Sequence, residues 1–488
     1  MMISPPSSAD YIRVLPEIVL SIWGMIIMFV EPMLPEGRSR KGLGIFGAFG
    51  VLVAIAATLY QAQPQFAGFG FYNMVRVDHF SVFFHLVVLL VALATMLMSL
   101  DYLPFQKIDH GEYYALILLG SVGTCLMSSA VELVLIFIAL EISSISSYIL
   151  AGFRKQAAES AESSLKYFLL GSFATAFFLY GVALLYGATG STNVFEIAHA
   201  LGNSTRIEPL AYVAVALIFT GLGFKVACAP FHVWTPDVYE GAPSPVVAFM
   251  STAPKAAAFA VLIRLVIETS SPNWFWVIWV AAVLSMSIGN LGAILQSNVK
   301  RMLAYSSIAH AGYLMVAFAS ASNRELGISA AMFYSAAYAA MNVGAFAVVS
   351  HMAGSGERFT SIDDYSGLGK RSPVLAAAFT FFLLSLIGIP MTGGFFAKFY
   401  VFSAALRTHL VWLTILGMVN SGMGSYYYLR LIVRMYMHEP QSEAPVPPIR
   451  MGVGLAIALS LAATLWLGIL PNTVLHYTQG TQTFLSGW

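Results

Sequence analysis

The sequence predicts an all-α, polytopic membrane protein of about 14 transmembrane helices, with two inverted five-helix repeats and helices 7 and 12 discontinuous. Three observations carry this prediction. Of the 488 residues, 58% are hydrophobic and only 10% charged, with a mean hydropathy of +0.78, whereas soluble domains run at about 25% charged. Apolar runs of about 20 residues, the length that crosses a hydrocarbon core, recur along the whole chain. The basic residues between those runs alternate in number from one connection to the next.

The runs fall at 11–31, 42–61, 80–100, 113–129, 131–152, 164–187, 209–227, 244–267, 274–295, 302–321, 328–351, 373–392, 409–436 and 451–470. The first lacks a basic leader and a cleavage motif, so it is expected to be a retained helix. The connections after runs one, three, five, nine, eleven and thirteen, with adjoining helix ends, hold fifteen Lys and Arg, from Arg38 to Arg450. The opposite side holds six: Arg13, Arg76, Arg206, Arg264, Arg324 and Arg407. The positive-inside rule then places both termini outside the cytoplasm. The expected organisation is an N-terminal three-helix segment (1–110), a first five-helix block (111–270), a second (271–440), and a C-terminal helix and tail (441–488). Five helices per block force the two blocks into opposite orientations.

Of 24 Lys plus Arg, three are left over: Lys225, Lys255 and Lys398. All three are lysine. Lysine gives up its proton when desolvated and arginine does not, so a group that must switch charge at depth would be lysine. Lys225 and Lys398 lie at nominal span ends, where snorkelling to the interface is the competing reading. Lys255, a dozen residues into its span behind Pro254, is too deep for that.

Among the acids, Glu141 sits mid-span in "VELVLIFIALEISSISSYIL", where a charge costs about 2.5–3.5 kcal/mol and requires a partner or a wet cavity. Glu132, nine residues earlier on the opposite helix face, is either a helix-end acid or a second station. His310, one turn after Ser306 and Ser307, is either a satisfied core histidine or a proton relay. His232, just past Pro230, is open in the same way, and His85 and His351 are read as structural or interfacial.

Two segments interrupt their helices alike: "GLGFKVACAPFHVW" (221–234) and "LIGIPMTGGFFAKFYVF" (386–402) each place a lysine five to eight residues from a proline. Paired breaks of this kind mark ion paths through membranes. Other chemistries are excluded or unsupported. Cys125 and Cys228 sit in apolar runs, giving no disulfide framework or cysteine metal site. No His/Asp/Glu cluster has metal-ligand spacing, and there is no phosphate-binding glycine loop. A net charge of +1 leaves no nucleic-acid footprint.

The stretch "GFKVACAPFHVWTPDVYEGAPSPVVAFMSTAPKAAAF", with "NVKRMLAYSSIAHAGYLM" and "GIPMTGGFFAKFYVF", resembles the antiporter-like membrane subunits of respiratory complex I (NADH:quinone oxidoreductase). The resemblance covers essentially the whole chain and is closest to the N-type branch. The M-type branch carries glutamate where Lys398 stands, and the L-type branch carries a C-terminal lateral-helix extension not found in this sequence.

The resemblance implies a proton-translocating role in a bacterial inner membrane. Glu141 would be the fifth-helix glutamate and Lys225 the lysine paired with it. Lys255 would be the bridging lysine, His310 a member of the central polar axis, and Lys398 the lysine near the outward exit. No cofactor is expected in this chain; NADH, flavin, iron–sulfur clusters and quinone would belong to other subunits. The implied partners are the M-type subunit, the small K, J and A subunits, and membrane lipid. Two alternatives stand beside it: a subunit of a multisubunit cation/proton antiporter or membrane-bound hydrogenase, and a purely structural membrane scaffold.

Overall fold

The computed structural model describes residues 5–35, 37–203, 209–269, 273–320, 324–440 and 446–479. Arg206, the 270/271 boundary between the two expected blocks, and the end of the C-terminal tail lie outside these residues.

The described chain is nearly all helix. A short α1 (Ser8–Arg13) leads into α2 (Leu15–Val30) and α3 (Lys41–Gln61). A small antiparallel hairpin, β1 (Gly68–Gly70) with β2 (Val75–Val77), precedes α4 (His79–Phe105). There follow α5 (Glu112–Ser129), α6 (Leu133–Ala151), α7 (Ala158–Thr189), the short α8 (Val194–Asn203) and α9 (Pro209–Val226). The middle holds α10 (Thr235–Gly241), α11 (Ser244–Met250), α12 (Ala253–Thr269), α13 (Asn273–Ile294), α14 (Val299–Ala319) and α15 (Arg324–Met352). A four-residue α16 (Leu368–Arg371), then α17 (Pro373–Ile387), α18 (Gly393–Arg407), α19 (Val411–Met437), α20 (Met451–Ile469) and α21 (Pro471–Gln479) complete the order.

Among the described residues, eleven helical stretches are long and apolar enough to cross a membrane, with α11 and α12 counted as one. Of the fourteen expected runs, the other three correspond to α5, the α17–α18 pair and α19, which are more polar or shorter. The outer helices turn leucine and aromatic side chains outward, as Leu165, Phe168 and Phe173 of α7 show, while α11, α12 and α14 are buried almost throughout. Apolar surface outside and serine, tyrosine, histidine and lysine inside is the distribution expected when lipid is the solvent.

Both sequence-predicted breaks are present. Helix α9 ends where Ala227 adopts φ +59°, ahead of a cis Ala229–Pro230 bond. Polar groups at the break are partnered: Ala229 N–H donates to Ser285 Oγ (2.8 Å) and Trp234 Nε1 to the Phe224 carbonyl (3.1 Å). Helix α17 stops at Gly388, φ +94°, and α18 starts after Thr392. A third interruption, at Ser251–Thr252, separates α11 from α12 just before Pro254.

Candidate functional site

The breaks and the buried polar side chains converge on one interior line. Lys225, at the end of α9, is 4% exposed and donates from Nζ to Ser144 Oγ at 2.9 Å. Ser144 lies one turn beyond Glu141 on α6, so the two share a face. Glu141 acts on Lys225 electrostatically, but no ion pair joins them among the described residues, and Glu141 Oε1 has no hydrogen-bond partner. The lysine's direct partner is therefore the serine.

Lys255 enters from α12 and donates to Ser307 Oγ on α14. Its ammonium also lies 5.6 Å from the Tyr239 ring centre on α10, and Tyr239 OH reaches Ser307 Oγ at 3.4 Å. A cavity of about 20 Å³ separates Lys255 from His310 and is lined also by Tyr334 and Tyr338. That volume holds about one water. His310, one turn past Ser307, is buried, with Nδ1 2.7 Å from Tyr334 OH and Nε2 3.4 Å from Tyr428 OH. Tyr428 OH is bonded in turn to Ser306 Oγ.

The line continues to the second break. Tyr313, packed on His310, presents its ring 5.0 Å from Lys398 Nζ. Lys398 donates to Ile387 O (2.8 Å), Leu386 O (3.1 Å) and Ser421 Oγ (2.8 Å). The first two are carbonyls left open where α17 stops, so the lysine sits on the negative end of that helix. Lys255, His310 and Lys398 thus share one buried system of hydroxyls and rings, and Lys225 with Ser144 forms a further buried pair.

The remaining sequence candidates stand apart from it. Glu132 is the N-cap of α6, its carboxylate accepting from Val134 N (3.1 Å) and Leu135 N (2.7 Å). His232 is half-buried against the Pro230 carbonyl, with Nδ1 unbonded. His85 bonds the Cys125 carbonyl at 2.9 Å and His351 the Pro447 carbonyl at 3.0 Å. Glu31, His110 and Glu112 bring possible metal-ligand atoms within 4.8 Å of one another, contrary to the absence read from spacing. Arg40 already holds Glu31 at 2.9 Å, so that cluster has a structural role at hand.

Further cations are buried as well. Lys300, counted as a loop charge, is completely buried, and Arg264, counted on the opposite side, is 5% exposed. Arg264 pairs with the α4 N-cap Asp78 at 2.9 Å. Lys300 pairs with Glu357 at 2.7 Å, with Arg154 3.8 Å from the same oxygen. Burial by itself would raise the Glu357 pKa, but Lys300 and Arg154 outweigh it and hold it at about 2. A signal for this existed in the sequence. Lys300 and Arg301 occupy the first turn of α14, where cations oppose the helix dipole, so an acidic partner was required. Tyr239, Tyr334 and Tyr428 carried no such signal, because buried tyrosines are common in any apolar core.

A family model described as "NADH:quinone oxidoreductase/Mrp antiporter, TM" matches residues 130–424, a span containing every member of this line except Tyr428. NADH-quinone oxidoreductase subunit N 2 of Koribacter versatilis is 62% identical over 473 residues, 96% of each chain. Among solved structures, a chain of respiratory complex I from Thermus thermophilus aligns at TM-score 0.81 and 36% identity, covering 94% of this chain and 98% of that one. A chain of the Mrp complex from Dietzia aligns at TM-score 0.83 but 22% identity, covering 97% and 98%, a likeness of fold alone. The chain belongs to the NADH-quinone oxidoreductase subunit N family.

Proposed function

We propose that this chain is a proton-translocating membrane subunit of a NADH:quinone oxidoreductase, driven by redox chemistry in other subunits. The observation that carries the reading is the buried succession Lys225–Ser144, Lys255–Ser307, His310–Tyr334 and Lys398 at the second break. Each lysine has a hydroxyl acceptor in place, and the gap between Lys255 and His310 admits a water. A proton can pass such a line by short transfers between hydrogen-bonded groups while each lysine alternates between ammonium and amine. Glu141, close to Lys225 but unbonded, would set the charge state of the first station; Lys398 would hand the proton outward. These groups titrate as a coupled set.

The finer architecture belongs to the same proposal: fourteen spans, two inverted five-helix blocks meeting near residue 270, and termini on the periplasmic face of a bacterial inner membrane. The proposed partners are the M-type subunit and the small K, J and A subunits. NADH, flavin, iron–sulfur clusters and quinone are assigned to the rest of the complex.

The test is proton movement in membrane vesicles holding the assembled complex. NADH- and quinone-dependent pumping that collapses in Lys225→Met supports the reading. Sodium or potassium exchange without NADH would support an antiporter, and wild-type pumping by Lys225→Met or Glu141→Ala would leave only a scaffold role.

A further inference from the structure

Outside the proton line, Glu357, in the loop after α15, is a buried carboxylate with both oxygens bonded. One of its oxygens accepts from Tyr102 OH (2.8 Å) and from Ser244 N (2.7 Å). The other accepts from Lys300 Nζ (2.7 Å) and faces Arg154. The same lysine donates to the carbonyls of Glu240 (2.8 Å) and Ala242 (2.6 Å), and Arg154 donates to that of Gly241 (3.1 Å). Every bond but that to Tyr102 therefore lands on, or shares a cation with, the corner between α10 and α11. Glu357 itself is held at φ +52°, a conformation uncommon for a residue with a Cβ and kept only where the surroundings enforce it. Gln106, the C-cap of α4, ties the loop further, with 2.7 Å bonds to Gly354 O and Gly356 N.

We propose that Glu357 is a positioning residue for Lys255: with Lys300 and Arg154 it forms a fixed ionic clamp on the α10–α11 corner. Tyr239, two residues before Gly241, is the group the clamp aims. Its ring stands beside the Lys255 ammonium and its hydroxyl beside Ser307. Lys300 and Ser307 are seven residues apart on α14, about 10 Å along the same face, so one helix carries both the clamp and the acceptor. The clamp is not itself a carrier. A carboxylate facing two cations and accepting two further hydrogen bonds stays ionised, and its charge is what orders the corner. This inference rests on the proton-carrying role of Lys255.

The experiment uses the assembled complex with Glu357→Gln, Glu357→Asp and Lys255→Arg in parallel. Hydrogen exchange over residues 239–252 and the pH profile of NADH-driven pumping are both read. Glu357→Gln leaves Lys300 and Arg154 buried without their bonded carboxylate, so amide exchange at Gly241, Ala242 and Ser244 rises about tenfold or more, and pumping falls about tenfold. Glu357→Asp, which keeps the charge, recovers pumping to within about threefold with the wild-type pH profile. Unchanged exchange, or unchanged pumping, in Glu357→Gln while Lys255→Arg is inactive overturns the clamp alone. Wild-type pumping by Lys255→Arg overturns the reading beneath it.

Discussion

Substituting alanine for Gly394 tests whether the second break sets the position of Lys398. Gly394 lies in the first turn of α18, and a Cβ there overlaps the Ser385 carbonyl oxygen of α17. That carbonyl cannot swing away freely, because it accepts from Gly388 N at 3.0 Å. Relief requires α18 to shift by roughly 1 Å, at an overpacking cost of about 1–3 kcal/mol. Lys398 is four residues further along, one turn up the same helix, and moves with it. Its bonds to Ile387 O and Leu386 O, now 2.8 and 3.1 Å, would pass beyond hydrogen-bonding range. Loss of a charged hydrogen bond is worth about 1.5–3 kcal/mol, and a 1 Å misplacement of a transfer group costs about 10²-fold. The expectation is a Gly394→Ala complex that assembles on native gels but pumps at less than a tenth of the wild-type rate in vesicles. Gly422→Ala on α19, where a Cβ meets nothing within 4 Å, is the control and should pump within about twofold of wild type. Equal pumping by the two variants would show that the second break does not set the position of Lys398.

Two further expectations follow from the geometry. Ser144→Ala removes the hydroxyl that accepts from Lys225, and at about 1.5–3 kcal/mol for a charged hydrogen bond pumping should fall about tenfold or more, with Ser144→Thr restoring it. The Glu357 clamp gives a pH signature: its folded pKa of about 2 lies below the ordinary 4.5, so its stabilisation is complete above about pH 4.5 and lost as pH falls through about 2. The linkage is worth about 3 kcal/mol at most, with the cost of burying Lys300 set against it. Thermal unfolding in detergent should therefore show a steeper loss of Tm below pH 4.5 in wild type than in Glu357→Gln.

Much of this was legible in the sequence, for identifiable reasons. A deep charge in a chain with few charges stands out by elimination, as Lys225, Lys255 and Lys398 do. Pro230 and the Gly388–Pro390 segment announce their breaks because neither can continue a helix ladder. Elimination failed for Lys300 and Arg264, whose place at helix ends made them look solvated; their acids, Glu357 and Asp78, are 57 and 186 residues away. Glu17, near the start of the first apolar run, is likewise buried, 3.5 Å from His85, a contact that sequence spacing cannot express. The choice of Ser144 over Glu141 as the direct partner of Lys225 was equally out of reach. Both lie on one helix face, and side-chain packing decides between them.

In the proposed mechanism the buried lysines work by losing and regaining a proton. Lys255→Arg tests it most directly, because the substitution keeps the positive charge and a donor toward Ser307 but removes the ability to deprotonate near neutral pH. The measurement is NADH-driven proton uptake by inverted vesicles, normalised to assembled complex. Uptake below a tenth of wild type is expected. Uptake at the wild-type rate would mean that Lys255 carries no proton in the pumping cycle.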